Sequence, residues 1–375
     1  MRIGFLSHLD LNLWLFRLPV MQELVRLGHT VYALCPEGEY SGGFAAHGII
    51  HVPYTIERSS LNPMKEIAAV AAIVRALRPL KLDLLHTFTA KPNIYGTIAA
   101  KIARIPRVVN LVEGLGSFYL RDDLQARMIR FAIEALYRLV FQLSDKVMFV
   151  NRDDPAYLIQ HKIVPPSKVV VIDGVGIDTE AWQPLPKSDP RVVVLMIGRT
   201  LKDKGTLDFI EAARLVHREL PEVIFRFVGF PDSGNPSSLS EEFMRAQPEI
   251  EYLGKRDDIR EQLANCDIFV LPSYREGMPR TIMEAMSMAK PIITTDVTGC
   301  RDTVEEGVNG LLVPPKSPAN LAHALLMLLR NPSLRAQMGE ASREMAIRRF
   351  DIKKIIQAHL EVYGLIDTPN SSCHN

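Results

Sequence analysis

The chain has 375 residues, enough for roughly two to three domains, and its hydrophobic content of 47% and charged content of 23% are typical of a soluble globular protein. The formal net charge of +1 gives no electrostatic reason to expect nucleic acid as a partner. The four cysteines have no close pairing, which predicts a reduced, cytoplasmic protein without a disulfide framework or a zinc site. No signal peptide is expected, because a strand pattern begins at residue 2, and no apolar stretch is long enough to span a bilayer.

Short apolar strands alternate with helical patterns through the first half of the chain. We predict strands over residues 2–7, 30–35, 51–54, 82–88, 107–113, 146–151 and 168–173. We predict helices over residues 14–26, 63–77, 93–104, 124–143 and 153–161. Such alternation predicts a mostly parallel sheet that is covered by helices on both faces.

A Pro- and Gly-rich stretch, residues 174–190, looks like a linker, and a second α/β series follows it. Its predicted strands cover residues 192–197, 223–228, 250–253, 268–271, 291–295 and 310–313. Its predicted helices cover residues 206–219, 259–265, 281–288, 318–329 and 333–349. A last helix is predicted over residues 352–363, before a polar tail, residues 368–375, that we expect to be disordered.

The predicted fold class is therefore α/β, with two doubly wound Rossmann-like domains in tandem. We expect the first domain over residues 1–180 and the second over residues 191–350. Residues 351–375 would form a C-terminal helix and tail, the helix packing back towards the first domain. Ligands bind outside the carboxyl ends of parallel strands, so we expect a cleft shared by the strand ends of both domains.

The most informative stretch, residues 274–285, lies between a buried strand and a helix. Gly277 and Pro279 mark the turn, and the backbone N–H groups of Arg280, Thr281 and Ile282 are predicted to be free at the helix start, where an anion is favoured. Glu276 lies on the loop and Glu284 about one helical turn further on. Carboxylates beside an anion site suit a ligand with both hydroxyls and phosphates, such as a sugar nucleotide.

A second basic segment follows the first strand of the second domain. It places Arg199 and Lys204 at the carboxyl end of that strand. An arginine fork and a mobile lysine charge suit a diphosphate. A solvated basic turn is the alternative interpretation of this segment.

Taken together, these motifs resemble the retaining family-4 glycosyltransferases, which have the two-domain GT-B fold. The matching residues are Gly198-Arg199 with Lys204-Gly205, Glu276-Gly277 with Glu284-Ala285, and the run over residues 265–274. The resemblance covers nearly the whole chain. It implies that Arg199 and Lys204 hold the donor diphosphate, that Glu276 contacts the transferred sugar, and that Glu284 contacts the nucleotide ribose.

A narrower resemblance is to the PglA-type bacterial enzymes that transfer N-acetylgalactosamine from UDP to a bacillosamine-type sugar on undecaprenyl diphosphate. It is carried by residues 1–8, 60–63, 111–119 and 235–236, and most of all by residues 112–119. Residues 86–96 are shared with other transferases that build lipid-linked oligosaccharides. The implied partners are a UDP-N-acetylhexosamine donor, with N-acetylgalactosamine in α1,3 linkage as the best expectation, and a polyprenyl-diphosphate-linked acceptor.

Candidate acceptor residues follow strands of the first domain. Lys91 and Asn93 would meet the acceptor diphosphate, or are simply polar residues at a helix start. Glu113 would bind an acceptor hydroxyl or cap the region of Ser117, and Gly114 would let backbone approach a sugar. The loop over residues 8–12, with Asp10, departs from the glycine-rich loop of many relatives and would narrow the cleft or contact the acceptor.

Other positions are less clearly assigned. Relatives carry a histidine near residues 86–91, where this chain offers His86, although the matching position could be Ala90. A structural role is the more common one for such a histidine. Phe230 and Arg256 follow strands at positions where relatives bind the nucleobase.

No metal or other cofactor is expected. Asp203 and Asp232 do not form a metal-binding group with their neighbours, and no paired aspartate motif occurs. The donor substrate would therefore be a UDP-sugar held without a metal ion.

Residues 121–141 combine arginines with apolar side chains at helical spacing. A basic amphipathic helix can lie on an anionic lipid surface, and a core helix with a solvated face is the alternative. With a lipid-linked acceptor, we expect peripheral attachment to the inner face of the cytoplasmic membrane.

The predicted reaction is glycosyl transfer with retention of configuration, in which the acceptor hydroxyl attacks on the leaving-group face. Two rival functions remain open: a nucleotide-sugar epimerase on the same two-domain plan, and a sugar-nucleotide-binding protein without catalysis. UDP release with and without an acceptor distinguishes the three.

Overall fold

The computed structural model describes residues 1–56, 62–232 and 234–367. The chain forms two compact units, one made of Met1–Val175 with the chain from Lys353 onward, the other of Gly176–Ile352. The predicted tail over residues 368–375, Cys373 within it, and Ser60-Leu61 of one motif lie outside the described residues.

Within the described residues, the first unit contains a seven-stranded parallel sheet with the order β3-β2-β1-β4-β5-β6-β7. Its strands are β1 (Arg2–Leu6), β2 (Thr30–Leu34), β3 (Ile50–Val52), β4 (Leu84–Phe88), β5 (Arg107–Val112), β6 (Lys146–Phe149) and β7 (Val169–Val171). The central β4 is buried along its whole length, as expected for a parallel strand covered on both faces.

The helices of the first unit cover both faces of this sheet. They are α1 (Asp10–Phe16), α2 (Leu18–Arg26), α3 (Pro63–Leu77), α4 (Thr97–Ile102), α5 (Leu124–Leu143) and α6 (Asp153–Gln160). The single helix predicted over residues 14–26 is wrong: it is two helices separated at Arg17, because Pro19 favours a new helix start. The helix predicted over residues 93–104 instead begins with a π-helical turn, Pro92–Gly96.

Within the described residues, the second unit contains a six-stranded parallel sheet with the order β10-β9-β8-β11-β12-β13. Its strands are β8 (Val193–Ile197), β9 (Ile224–Val228), β10 (Glu251–Tyr252), β11 (Ile268–Leu271), β12 (Ile292–Thr295) and β13 (Gly310–Val313). Its helices are α7 (Thr206–His217), α8 (Glu241–Arg245), α9 (Ile259–Ala264), α10 (Arg280–Ser287), α11 (Pro318–Leu329) and α12 (Pro332–Met345).

The last helix, α13 (Ile352–Val362), packs on the first unit. The Arg107 guanidinium donates to the carbonyl oxygens of Val362 and Tyr363, the latter at 2.7 Å. These bonds satisfy carbonyl oxygens that have no hydrogen-bond partner within the helix at its C-terminal end. They tie the end of α13 to the first residue of β5.

In each sheet the order of successive strands reverses at one place, the switch point, and an open α/β sheet forms a crevice there. In the first unit the change falls between β1 and β4, and in the second between β8 and β11. Ligands are therefore expected next to the residues that follow these strands. The α/β fold class predicted from the sequence is confirmed.

Three cysteines, Cys35, Cys266 and Cys300, are free and buried. Burial raises the pKa of each thiol to about 12, which disfavours the reactive thiolate. Among the described residues, the helices are too short or too polar to cross a membrane.

Candidate active site

Cationic and anionic side chains of the second unit meet at the carboxyl ends of β8 and β11. Arg199 follows β8, and Lys204 ends the turn Lys202–Lys204 just beyond it. Lys204 Nζ lies 2.5 Å from Oε1 of Glu276, and the Ser273 hydroxyl donates to the same oxygen at 2.6 Å. The structure thus brings together two predicted site residues that are 72 positions apart in the chain.

Two close backbone approaches explain why Lys204 and Glu276 can meet. Gly205 has a φ of +74°, and a Cβ there would lie 2.1 Å from the Pro272 carbonyl oxygen. Gly299 has a φ of +79°, and its Cβ would lie 2.4 Å from the Gly277 carbonyl oxygen. Glycine fits both positions without strain, so the Lys204 turn packs closely on Pro272, just after β11, and the loop after β12 packs closely on the Glu276 loop.

Arg199 has a different partner, Asp232, with which it forms an ion pair. The Asp232 N–H donates to the Ser238 hydroxyl at 3.0 Å, which fixes the loop that carries the carboxylate. Sequence reasoning considered Asp232 only as a metal ligand and missed this contact. Both cations of the site are therefore neutralised by carboxylates of the same unit.

The start of α10 lies beside this cluster in sequence, after Gly277. Here one prediction is wrong: the Ile282 N–H is not free but donates to the Pro279 carbonyl oxygen at 3.2 Å. The first turn is tighter than an α-helical turn, which satisfies an N–H that was expected to face a ligand. Thr281 lies in the same turn.

Glu284 is nearly buried, one turn into α10. Its Oε1 accepts a hydrogen bond from Arg280 Nε at 2.9 Å. Burial raises the pKa of Glu284, and the neighbouring Arg280 charge lowers it by a smaller amount. The carboxyl is thus closer to protonation than an exposed glutamate.

The predicted nucleobase residues differ in their surroundings. Arg256 is exposed and forms an ion pair with Asp258 at 2.7 Å. Phe230 is exposed, and its carbonyl oxygen accepts the N–H of Thr200, the residue after Arg199. Phe230 is therefore next to the cationic segment, whereas the Arg256 side chain pairs with Asp258, outside that segment.

A second cluster lies at the end of β5 in the first unit and centres on Glu113. Asn12 Nδ2 donates to both carboxylate oxygens, at 3.1 Å and 3.0 Å. The Arg17 guanidinium forms an ion pair with Oε1. Gly114 and Gly116, which follow, have φ values of +141° and +89° and need glycine for that reason.

Of the other predicted acceptor residues, Asn93 is wrong as a direct ligand. It is fully buried, its Oδ1 accepts from the Thr87 hydroxyl at 2.7 Å, and its Nδ2 donates to the Leu111 carbonyl oxygen at 2.9 Å. Asn93 therefore ties β4 to β5 inside the unit.

Lys91 and Asp10 are engaged locally. Lys91 Nζ lies 2.8 Å from Oε1 of Glu66 on α3. The Asp10 carboxylate accepts the N–H groups of Leu11 and Tyr40, at 2.8 Å and 2.7 Å, and is mostly buried. Their roles in acceptor binding stay predictions.

His86 is fully buried in the middle of β4, which agrees with the structural interpretation. Its Nδ1 is hydrogen-bonded to the Tyr363 hydroxyl at 2.5 Å. Burial, followed by the fields of His359 and Arg17, holds the pKa of His86 well below its usual range. A neutral, enclosed imidazole in this position cannot reach a substrate.

The sequence analysis did not identify one hydrogen-bonded pair of side chains, which lies where the strand order of the first sheet reverses. His8, after β1, lies with its Nδ1 2.8 Å from the hydroxyl of Thr89, after β4. Thr89 has a φ of +70°, which is strained for a β-branched residue. The position of His8 at a strand end was readable from the sequence, whereas the backbone of Thr89 was not.

Within the described residues, no group of three or more His, Cys, Asp or Glu side chains is arranged to hold a metal ion.

Two family profiles match the chain in succession. The profile described as Glycosyltransferase Family 4 matches residues 20–181, and the profile described as Glycosyl transferases group 1 matches residues 178–345.

Curated relatives match nearly the full length. The chain is 34% identical to an N,N'-diacetylbacillosaminyl-diphospho-undecaprenol alpha-1,3-N-acetylgalactosaminyltransferase from Campylobacter jejuni, over 98% of this chain and 99% of that enzyme. It is 26% identical to a UDP-Gal:alpha-D-GlcNAc-diphosphoundecaprenol alpha-1,3-galactosyltransferase from Escherichia coli, over 81% of each protein.

Among solved structures, the chain is similar to HepE from Anabaena in complex with UDP-glucose. The TM-score is 0.78 and the sequence identity 22%, over 98% of this chain and 100% of that chain.

Proposed function

Because the chain belongs to Glycosyltransferase Family 4 and has the GT-B fold, we propose that it transfers an N-acetylhexosamine from a UDP-sugar to a sugar on undecaprenyl diphosphate. The best candidate is N-acetylgalactosamine in α1,3 linkage, which is the transfer named for the Campylobacter jejuni relative. The single observation that carries the donor site is the contact between Lys204 and Glu276, beside Arg199 at the switch point of the second sheet.

The donor diphosphate is proposed to replace the carboxylate partners of the two cations. Arg199 is paired with Asp232 and Lys204 with Glu276 in the free protein, and all four side chains are accessible in part. A diphosphate carries more negative charge than one carboxylate and suits a guanidinium fork. Two protein cations then supply the charge that a metal ion would otherwise supply, so no metal or other cofactor is needed.

The remaining donor residues complete this proposal. Glu276, released from Lys204, accepts hydroxyl groups of the transferred sugar, beside Gly277. Thr281 borders the diphosphate at the start of α10, and Glu284 accepts a ribose hydroxyl. Arg256 lies on the nucleobase side.

Transfer then proceeds by electrostatic stabilisation of the leaving group. Arg199, Lys204 and the N-terminal end of α10 stabilise charge that grows on the departing UDP, a contribution of about 10²–10³ in rate per group. The acceptor hydroxyl attacks C1 on the face from which UDP departs, and its proton passes to the departing phosphate. The glycosidic bond to UDP breaks as the new one forms, so configuration is retained.

The first unit is proposed to bind the acceptor. Glu113 and Gly114 lie at the end of β5 next to β4, and a partly exposed carboxylate can accept sugar hydroxyls. Lys91 provides a cation near the end of β4 for the acceptor diphosphate. Asp10 shapes the loop after β1 that borders this site.

Two variants test the transferase assignment. Arg199→Ala and Glu276→Ala should each lose most of the transfer while retaining the circular dichroism spectrum and the unfolding temperature. The assay is UDP release with a panel of UDP-sugars, with and without undecaprenyl-diphosphate-linked acceptors. Near-normal turnover in both variants would refute the assignment.

The same assay separates the rival functions. An epimerase converts the UDP-sugar without an acceptor and releases no UDP, and a binding protein binds UDP-sugar without turnover. Acceptor-dependent UDP release is expected from the proposed transferase alone.

We also propose that α5 attaches the protein peripherally to the inner face of the cytoplasmic membrane. Leu124, Met128, Phe131 and Leu139 are more than half exposed and recur at helical spacing, so they form one apolar stripe. Within the described residues, the Arg127 side chain beside this stripe makes no hydrogen bond or ion pair. An apolar stripe with an unpaired arginine, Arg127, and the further arginine Arg130 beside it suits an anionic lipid surface.

Vesicle sedimentation tests this attachment. Arg127→Ala and Arg130→Ala should each weaken binding to anionic vesicles about fivefold, since a basic residue near such a surface contributes about 1 kcal/mol. Met128→Ser with Phe131→Ser should abolish binding to anionic and neutral vesicles alike. Phe243→Ser, which removes an exposed aromatic ring of the second unit, is the matched control. Equal partition of wild type and α5 variants would show the idea to be wrong.

A further inference from the structure

Arg17 is a fully buried arginine between α1 and α2. Its guanidinium carbon lies 4.6 Å from the centre of the Phe88 ring, and its Nη2 is paired with Glu113. Within the described residues, its Nε and Nη1 have no hydrogen-bond partner. Burial of a cation with two unsatisfied donors is costly, and an apolar side chain of similar size would avoid that cost. An arginine at this position is therefore not explained by packing alone.

Asn12, on α1, hydrogen-bonds to the same carboxylate. Its amide nitrogen donates to both oxygens of Glu113, while its own Oδ1 accepts from the Ser7 hydroxyl at 3.3 Å. A carboxylate offers about four acceptor positions. The two donations from Asn12 and the one from Arg17 leave one position, on Oε2, for a further donor.

Glu113 is the part of this cluster that a ligand can reach. Its side chain is 21% exposed, whereas that of Arg17 is 0% exposed. It directly follows β5, which pairs with β4. The strained Thr89 directly follows β4 and contacts His8, which lies just after β1. Strained backbone and buried unsatisfied polar atoms cluster at functional sites. The open acceptor position of Glu113 therefore lies on the rim where a ligand of this sheet would bind.

We infer that Arg17 and Asn12 are positioning residues that fix the Glu113 carboxylate in one orientation, so that its open oxygen accepts a hydrogen bond from a hydroxyl or acetamido N–H of the acceptor sugar. The inference rests on the proposed function and adds two residues to it. Neither Arg17 nor Asn12 touches the substrate, and both act through Glu113.

Steady-state kinetics of four variants test this arrangement, with KM measured separately for donor and acceptor. Arg17→Met and Asn12→Ala should each raise the acceptor KM about tenfold and leave the donor KM unchanged. Glu113→Gln should do the same. Because Arg17 acts through Glu113, the double variant Arg17→Met/Glu113→Gln should be no worse than Glu113→Gln alone.

Arg107→Met is the matched control, because Arg107 is a partly buried arginine of the first unit whose guanidinium, within the described residues, donates to the end of α13. It should lower the unfolding temperature without a change in either KM. A proportional rise of donor and acceptor KM in Arg17→Met, or additive losses in the double variant, would overturn the inference in favour of a purely structural role. Should Arg17→Met fail to fold, Asn12→Ala decides in the same way.

The two proposals fail differently. A wild-type protein that transfers no sugar to any lipid-linked acceptor contradicts the proposed function. A wild-type protein that transfers normally, with Arg17 and Asn12 variants of unchanged acceptor KM, contradicts the positioning role alone.

Discussion

The charged clusters of the two units are built in opposite ways. In the second unit, the arginine at the site is 39% exposed and the lysine 21% exposed, and each has a carboxylate partner that can also reach water. In the first unit, the arginine is completely buried and only its carboxylate partner is accessible. The accessible charges of the cluster in the second unit include cations, whereas the accessible charge of the cluster in the first unit is an anion.

This difference in burial determines how easily a ligand can replace one partner of each ion pair. Partly exposed ion pairs contribute little to stability, about 0–1 kcal/mol, so a ligand can replace one partner at low cost. A leaving diphosphate must enter and depart in every cycle, which suits such exchangeable pairs. A buried pair is expensive to break, which suits a carboxylate that must keep one orientation for a neutral sugar.

The largest expected effect follows from removal of an exchangeable cation. Lys204→Met should lower kcat about 10²–10³-fold, because it takes away charge that stabilises the departing diphosphate. Lys202→Met, a neighbouring exposed lysine, is the control and should retain activity. Equal activity of the two variants would mean that Lys204 serves only to hold the Glu276 loop.

A second prediction concerns the pH dependence of UDP binding, in which the buried carboxyl Glu284 should differ from exposed carboxyls. Since burial raises the pKa of Glu284, UDP affinity should fall as the pH drops through that raised pKa and the carboxylate is protonated. Glu284→Gln should weaken UDP about tenfold at neutral pH, because hydrogen bonds to charged groups are the stronger ones, and should flatten the pH dependence. Calorimetric titration from neutral to acid pH measures both. An unchanged slope in the variant would assign the titration to another group.

A smaller effect tests whether the Arg199 pair is exchangeable. Asp232→Asn removes the competing carboxylate, so UDP should bind up to about fivefold more tightly, in line with the small free energy of a partly exposed pair. Asp296→Asn, which breaks the exposed pair with Arg301 in the same unit, should leave UDP affinity unchanged. Weaker UDP binding in Asp232→Asn would show that Asp232 orients Arg199 instead of competing for it.

The smallest effect on activity concerns the interior of the first unit. Burial lowers the pKa of His359 from 6.5 to about 4. Between pH 6.5 and about pH 4, the unfolded chain therefore binds more protons at this histidine than the folded chain does. The folded state is destabilised as the pH falls through this range, and the loss is absent above pH 6.5. His359→Leu should reduce this acid destabilisation in thermal unfolding and leave kcat at neutral pH unchanged. His323→Gln, an exposed histidine of α11, should change neither.

Much of the fold was predictable because parallel strands buried on both faces are short apolar runs. The predicted α3, α5 and α11 have the observed bounds, since their ends carry proline, capping residues or a change to polar sequence. The break at Arg17 was missed because residues on both sides of it favour helix. The donor motif was readable because Glu276 and Glu284 lie on one strand-to-helix turn.

The acceptor side was harder to predict. Glu113 was identified as a strand-end carboxylate, but its partners Asn12 and Arg17 are 101 and 96 residues away. Asn93 was assigned to the acceptor because it follows a strand end, but its side chain is buried and bonded to Thr87 and Leu111.

The sequence by itself determined the two α/β series, the order of strands and helices, and the turn that carries the donor carboxylates, because hydrophobic periodicity and turn chemistry are local properties of the chain. Only the tertiary structure decided which cation meets which carboxylate, that Arg17 is buried beneath Glu113, and that Asn93 and His86 face inward. These outcomes depend on register between strands and on packing between distant segments, and neither is written in any short stretch of residues.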